Sequence, residues 1–206
     1  MIKNIVFDLG KVLIKFDPER YLIDLGYNGE KTKRIIKAIF NSREWIELDR
    51  GTINEKEAAD KMVEYDPDLA EEIRDVMIRW YDILSVKEDT LEILRMIDKN
   101  RFNLFVLSNF HKKAFSYINN KFVFLDYFDG IVISADINYI KPEPEIYDIL
   151  LYRYNLKAEE TLFIDDFVIN LIAAEKVGIK TIHFRDSKAL KEKLLNLGII
   201  GVKSNG

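Results

Sequence analysis

Five short runs of apolar residues constrain the fold of this chain more than any other feature of its sequence. Each run is rich in valine, isoleucine, phenylalanine or leucine, and its apolar residues follow one another instead of alternating with polar ones. A strand that is buried on both faces of a parallel sheet has this pattern. The runs span residues 5–9, 102–107, 131–134, 161–164 and 181–184. The sequence therefore predicts a central parallel sheet.

Helical segments lie between the later runs. In residues 91–99, the apolar side chains at positions 91, 93, 94 and 97 fall on one face of a helix. Residues 144–154 and 170–177 have the same kind of pattern, and Gly178 stands where a helix commonly ends. Strands that alternate with helices predict an α/β fold, a doubly wound Rossmann-like parallel sheet.

The stretch from residue 17 to residue 85 breaks this alternation, because it contains no strand-like run. Its patterns predict helices over residues 19–24, 31–40, 54–64 and 69–80. Asn54 is expected to cap the third helix with its side chain. We therefore expect a small helical cap over residues 15–85, inserted after the first strand, and an α/β core domain made of residues 1–14 and 86–206.

Composition narrows the classes of partner. The 206 residues are 48 % hydrophobic, enough to bury a core, and the net charge is 31 − 35 = −4. This charge gives no electrostatic reason to bind nucleic acid or an anionic membrane, and no apolar stretch approaches the ~20 residues that span a bilayer. The absence of cysteine excludes thiolate chemistry and is typical of a reducing compartment. We expect a cytoplasmic protein without nucleic-acid or membrane partners, and the oligomeric state is unknown from sequence.

Reactive side chains follow four of the predicted strands. In chain order they are Asp8, the pair Ser108–Asn109, Lys141, and the pair Asp165–Asp166. Ligands of open parallel sheets bind beyond the carboxyl ends of the strands, so these side chains should converge at one edge. Carboxylates bind Mg²⁺, and a lysine adds positive charge beside a phosphate. The set predicts phosphoryl transfer, in which Asp8 attacks phosphorus, forms an aspartyl phosphate and loses it to water.

The motifs that carry these residues resemble the four motifs of the haloacid dehalogenase superfamily, in the same order. They read FDLGKVL, VLSN, KPEPEIY and FIDD, and the match covers residues 1–14 and 86–184. The intervening helices resemble that superfamily's small helical cap. The phrase LDRGTIN at residues 48–54 is similar to one in the branch related to sugar-phosphate phosphatases and the N-terminal phosphatase domain of soluble epoxide hydrolases. The resemblance implies a phosphatase that acts on a small phosphorylated metabolite with Mg²⁺ as cofactor.

The resemblance also implies a role for each motif position. Asp8 matches the catalytic nucleophile, which is also a metal ligand. Gly10 stands where the superfamily uses a backbone carbonyl as a metal ligand, and Asp166 matches the direct carboxylate ligand. Ser108 matches the phosphate-binding hydroxyl, and Lys141 matches the catalytic lysine that faces the phosphate.

Five further positions complete the expected site. Asn109 can donate to phosphate beside Ser108, and Asp165 would be a water-mediated partner of the metal. Asn170 would support the metal site from the following helix. Lys11, three residues past the nucleophile, and His111, after the second motif, are candidate substrate contacts.

Gly10 is also where this sequence departs from the superfamily pattern. Most phosphatases of the superfamily have an aspartate at this position as general acid and later base, a contribution typically worth ~10²–10⁴ in rate. Three explanations stay open. Another group, such as Asp17 or a cap residue, supplies the proton; or the leaving groups need little protonation, as in anomeric sugar phosphates and acyl phosphates; or the protein is a slow enzyme or a binding module.

Two rival functions stay open beside the phosphatase. A metal-independent 2-haloacid dehalogenase would also use Asp8, against carbon, but dehalogenases lack the paired acids that stand here at residues 165 and 166. A catalytically weak binding or regulatory member of the fold has only Gly10 in its support. The choice among hexose 1-phosphates, other sugar phosphates, nucleotides and small phosphorylated acids is open too.

Overall fold

A computed structural model describes residues 1–201 and has a parallel sheet at its centre. Its strands are β1 (Asn4–Phe7), β2 (Ile14–Lys15), β3 (Ser85–Val86), β4 (Asn103–Ser108), β5 (Gly130–Ile133), β6 (Thr161–Asp165) and β7 (Lys180–His183). The central sheet has the order β5-β4-β1-β6-β7, and every neighbouring pair in it is parallel. Each of the five apolar runs contributes one of these strands, which confirms the predicted doubly wound α/β fold.

Helices flank this sheet and fill the long stretch between β2 and β3. They are α1 (Pro18–Asp24), α2 (Gly29–Ala38), α3 (Arg43–Arg50), α4 (Glu55–Tyr65), α5 (Ala70–Arg79), α6 (Glu88–Arg95), α7 (Lys112–Lys121), α8 (Ser134–Ile137), α9 (Pro144–Arg153), α10 (Val168–Lys176) and α11 (Ser187–Asn196). Across residues 1–201, none of these helices has both the length and the apolar character needed to cross a membrane.

Most of the predicted helices are confirmed to within two residues at either end. The helix predicted over residues 91–99 is misplaced, because α6 begins at Glu88 and ends at Arg95. Its first turn is polar, with Glu88 and Asp89, so the apolar spacing marked only the buried face and not the start. Neither α3 nor the two-residue strands β2 and β3 were expected from the sequence pattern.

Two expected helix ends have the predicted chemistry. The Asn54 side chain accepts a hydrogen bond from the Glu57 amide at 3.0 Å, and the Glu57 carboxylate accepts one from the Asn54 amide at 3.0 Å. This reciprocal pair satisfies two amides that the first turn of α4 leaves free. Gly178 lies just past α10 with φ of +88°, a backbone conformation that favours glycine at a helix end.

The helices α1–α5 leave and rejoin the sheet at one place. β2 and β3 pair antiparallel, with Ile14 opposite Val86, so the two ends of the helical stretch lie side by side. The buried apolar cluster of these helices, which includes Ile73, is continuous with the sheet residue Leu104. Helices and sheet therefore share a core, and the division into a cap and a core domain remains a prediction.

The C-terminal end of α3 packs closely against α8, the short helix that directly follows β5. Gly51, directly after α3, has φ of +77°. A Cβ atom added there would lie 2.9 Å from the Cα atom of Ala135 and closer still to its carbonyl oxygen. The approach of α3 to α8 therefore requires glycine at this position for two reasons, its backbone conformation and the lack of space.

Replacing Gly51 with alanine should destabilise the fold more than replacing a glycine that has a similar positive φ but free space around it. Gly26 has φ of +92° and nothing within 4 Å of an added Cβ, so it isolates the backbone effect. We expect Gly26→Ala to cost about 1–2 kcal/mol of unfolding free energy, and Gly51→Ala to cost about 1–3 kcal/mol more from overpacking. Denaturant unfolding of both variants measures the difference, and equal losses would contradict the close α3–α8 contact.

Candidate active site

The carboxyl ends of three adjacent strands bring the motif residues together. Asp8 follows β1, Ser108 ends β4, and Asp165 ends β6. Because β1 lies between β4 and β6 in the sheet, Asp8 lies between the other two side chains. Lys141 reaches the same place from the loop that precedes α9. The structure thus gathers residues more than 150 positions apart in the chain at one edge of the sheet.

The ammonium group of Lys141 is the centre of this cluster. Its Nζ atom lies 2.9 Å from Asp8 Oδ1 and 2.7 Å from Asp165 Oδ2, and it donates to the Leu107 carbonyl at 3.0 Å. These three partners use the three donors of the ammonium group. Burial disfavours the charged form, but the two carboxylates outweigh it and hold the pKa of Lys141 above its ordinary value.

Asp8 is buried and carries its hydrogen bonds on one oxygen. Ser108 Oγ donates to Asp8 Oδ1 at 2.7 Å, and Lys141 contacts the same atom. Burial raises the pKa of Asp8 to about 6, while the positive charge of Lys141 opposes that rise. The second carboxylate oxygen of Asp8 has neither of these contacts, so it is the one available for reaction.

The adjacent acids Asp165 and Asp166 have different surroundings. Asp165 is fully buried, and its oxygens accept from the Phe167 amide at 2.7 Å and from the Asn170 side chain at 3.0 and 3.2 Å, besides Lys141. Asp166 is only partly buried. Burial raises the pKa of Asp166, the charge of Asp165 adds to the rise, and Lys11 opposes it. Asp165 is therefore tied to the protein, and Asp166 is free to take an external ligand.

These carboxylates suit a hard cation. One oxygen from each of Asp8, Asp165 and Asp166 lies within 4.8 Å of the others. An all-oxygen donor set is what Mg²⁺ prefers, and negative charge concentrated at one strand edge fits a divalent ion. Since the oxygens of Asp165 are already hydrogen-bonded, the residues that would hold the ion are Asp8, Asp166 and the backbone of Gly10.

Asn109 has a more specific environment than the sequence suggested. Its side-chain Nδ2 donates to the Lys141 carbonyl at 3.0 Å, and its Oδ1 accepts from the Lys141 amide at 2.8 Å. This pair of bonds fixes the backbone of the lysine loop. The Asn109 amide is thus occupied in positioning Lys141, so the prediction that it donates to phosphate does not fit these bonds.

Asp17 and Lys11 lie apart from the cluster. Asp17 is exposed and accepts from the Arg20 amide at 3.0 Å, so it serves as the side-chain cap of α1. It is absent from the lining of the cavity that begins at Gly10, which argues against Asp17 as the missing proton donor. Lys11 is exposed and affects the site through its charge near Asp166.

His111 is buried in the aromatic part of the helical segment. Its ring centroid lies 4.3 Å from that of Trp45 and 4.9 Å from that of Trp80. Burial lowers the pKa of His111 to about 3, which keeps the ring neutral. Within residues 1–201, neither ring nitrogen has a hydrogen-bond partner, although Nε2 lies 3.3 Å from Asp49 Oδ1.

Asp49, near the end of α3, is a site residue that the sequence reading missed. Its side chain is 21 % exposed, and burial together with the negative charge of Asp8 raises its pKa to about 8. It lines a cavity of about 110 Å³ with Gly10, Asn109 and His111, and aromatic rings close the rest of the wall. The available signal was the phrase LDRGTIN, in which Asp49 is the second residue.

The site joins a buried aspartate, a lysine and paired acids at the carboxyl edge of a parallel sheet in an α/β fold. The chain matches the family described as "Haloacid dehalogenase-like hydrolase" over residues 25–184. The protein therefore belongs to the haloacid dehalogenase-like hydrolase family, and the expected family is confirmed.

Individual relatives include phosphatases. The chain is 27 % identical over 195 residues to the sesquiterpene phosphatase astK of Aspergillus oryzae, covering 95 % of this chain and 96 % of the relative. It is 24 % identical over 209 residues to the D-ribitol-5-phosphate phosphatase of Bacteroides thetaiotaomicron, covering 94 % and 97 %. A magnesium complex of the HAD family enzyme bt-2542 from Bacteroides thetaiotaomicron is 25 % identical, with a TM-score of 0.69 and coverage of 89 % and 93 %.

If Asp166 holds a cation, Mg²⁺ should stabilise the protein through it. A ligand at a hundredfold excess over its Kd stabilises the folded state by about 2.7 kcal/mol, so the melting temperature should rise by several degrees. We expect Asp166→Asn to lose this rise and Asp68→Asn, at a side chain that is 89 % exposed, to keep it. The rise should shrink as the pH falls through about 6, because Asp8 then takes up a proton that competes with the ion. Equal gains in both variants would contradict the assignment.

Proposed function

We propose that this protein is a Mg²⁺-dependent phosphatase that hydrolyses small phosphomonoesters through an aspartyl phosphate on Asp8. The observation that carries the proposal is the cluster in which Lys141 bridges Asp8 and Asp165 while Asp166 stays free at its rim. The similarity to phosphatases over nearly the whole chain supports the same reaction class. The proposal includes a cytoplasmic location and a small phosphorylated metabolite as substrate.

The side chains divide the chemical work between them. Asp8 attacks phosphorus with the oxygen that does not accept from Ser108 or Lys141, forming the Asp8–phosphate bond as the bond to the leaving oxygen breaks. Ser108 and Lys141 orient Asp8 through its other oxygen, and the positive charge of Lys141 offsets the negative charge of a phosphate beside it. Mg²⁺ held by Asp8, Asp166 and Gly10 would supply further positive charge beside the phosphate. Water then attacks the aspartyl phosphate and regenerates the Asp8 carboxylate.

The arrangement of the acids favours phosphate over a haloacid as substrate. A dehalogenase that works without metal has no use for a free carboxylate beside its nucleophile. Here Asp166 is partly exposed near Asp8, whereas Asp165 is the acid of the pair that binds Lys141. A phosphate dianion needs positive charge to approach two carboxylates, and a divalent ion supplies it.

The cavity lined by Gly10 and Asp49 limits the choice of leaving group. It is small, and its wall combines the rings of Trp45 and Trp80 with the polar groups of Asp49 and His111. Such a wall fits an alcohol with both an apolar part and a hydroxyl group. The substrates named for the two similar phosphatases, a sesquiterpene and a ribitol phosphate, differ in this respect, so both classes belong in the substrate panel.

Phosphate release from p-nitrophenyl phosphate and from panels of sugar and isoprenoid phosphates tests the proposal. We expect release that requires Mg²⁺, stops with EDTA and falls by about 10³-fold or more in Asp8→Asn, because the nucleophile is gone. Asp68→Asn is the matched control and should retain full activity. Release that persists in Asp8→Asn would refute the covalent mechanism. No release from folded wild-type protein would favour a binding module.

A further inference from the structure

We propose that Asp49 is the acid–base residue of this site and protonates the leaving oxygen from α3, in place of a side chain at Gly10. The inference rests on the phosphatase function proposed above and assigns it a catalytic residue outside the four motifs.

The space that a side chain at position 10 would occupy is open. A Cβ atom added at Gly10 would meet nothing within 4 Å. Gly10 and Asp49 line the same cavity, which also reaches Asn109 beside the lysine loop. Asp49, from the helical segment, thus lines the same cavity into which Gly10 projects no side chain.

His111 gives an independent sign that a polar ligand atom belongs in this cavity. The residue is only 2 % exposed and lines the cavity, yet neither of its ring nitrogens has a hydrogen-bond partner within residues 1–201. An unpaired buried polar group costs about 1–3 kcal/mol, so it calls for an explanation, and a bound polar atom in the cavity would supply one. Its Nε2 atom lies 3.3 Å from Asp49 Oδ1, so a leaving oxygen near one of these side chains lies near both.

The backbone around Asp49 is anchored to the loop that carries Lys141. Ser134 Oγ donates to the Asp49 carbonyl, and Asn138 Nδ2 donates to the Arg50 carbonyl at 2.9 Å. The Arg50 guanidinium binds the Glu143 carboxylate at 2.6 and 2.8 Å, two residues past Lys141. These contacts hold the backbone of Asp49 relative to the lysine loop, which positions its side chain for general acid catalysis.

The Asp49 side chain accounts for the proton that is transferred in each half-reaction. In the first, the Asp49 carboxyl O–H bond breaks and its proton goes to the leaving alkoxide oxygen as the phosphorus–oxygen bond breaks. In the second, the Asp49 carboxylate takes a proton from the water that attacks phosphorus, and Asp8 leaves as a carboxylate. The raised pKa of Asp49 agrees with a group that starts the cycle protonated.

The decisive comparison is between an aryl and an alkyl phosphate in Asp49→Asn. p-Nitrophenolate leaves without protonation, whereas an alkoxide does not, so a missing acid affects only the second. We expect kcat/KM for an alkyl phosphate that the wild type hydrolyses to fall by ~10²–10⁴-fold, and kcat/KM for p-nitrophenyl phosphate to change far less. With p-nitrophenyl phosphate the variant should also accumulate the phosphorylated protein, seen by intact mass spectrometry, because the base for its hydrolysis is missing.

The controls separate a catalytic role from a structural one. Asp60→Asn changes an aspartate of α4 that pairs with Arg74 at the surface, and it should leave both substrates unaffected. Asp49→Ser is the second variant if Asp49→Asn does not fold, since both keep the backbone contact with Ser134. Equal losses on both substrates without phosphoenzyme, or no loss at all, would overturn the proposal. A wild type that hydrolyses neither substrate with Mg²⁺ would instead refute the proposed function.

Discussion

The buried ammonium group of Lys141 holds two carboxylates together that would otherwise repel each other, and the site depends on this contact. Removing three charged groups from water is costly, and Coulomb attraction offsets the cost only when every remaining donor and acceptor is satisfied. Here Lys141 uses all its donors, Asp165 is saturated by Asn170 and the Phe167 amide, and Asp8 accepts from Ser108. The cluster therefore constrains the neighbouring strand ends and the lysine loop at once.

A second set of contacts joins the helical segment to this cluster. The Ser134 hydroxyl accepts a hydrogen bond from the Phe110 amide and donates one to the Asp49 carbonyl. It therefore links the end of β4 to the end of α3. The tight approach of Gly51 to Ala135 and the ion pair of Arg50 with the lysine loop act at the same point. The helices are thus attached to the sheet beside the candidate active site, through polar contacts and one close backbone approach.

The fold and the motif cluster were readable because each leaves a local trace in the sequence. A strand buried on both faces forms a continuous apolar run, and the residue at its carboxyl end is at the active edge whatever follows. Asp49 follows no apolar run, and its only sequence signal was the phrase LDRGTIN, because its contacts include residues as distant as Ser134, 85 positions away. Likewise α3 is a short, highly charged segment whose local signals are only the Ser42 cap and Gly51 at its end, and the bonds of Asn109 to Lys141 depend on a loop that only the fold brings near.

Asp8 and Asp49 have the same intrinsic acidity, but their surroundings give the two carboxyl groups different pKa values. Asp8 lies against the positive charge of Lys141, which limits the rise of its pKa to about 6, whereas Asp49 sits among aromatic rings and its pKa rises to about 8. Pairs of acids with such a difference divide into nucleophile and proton donor. In the proposed mechanism the proton donor, Asp49, lies on α3. Proton transfer then depends on the packing of the cavity wall, because the same helix carries Trp45. A leaving group too large for the cavity would displace Asp49 and slow the chemical step as well as binding. Substrate size should therefore affect kcat and not only KM.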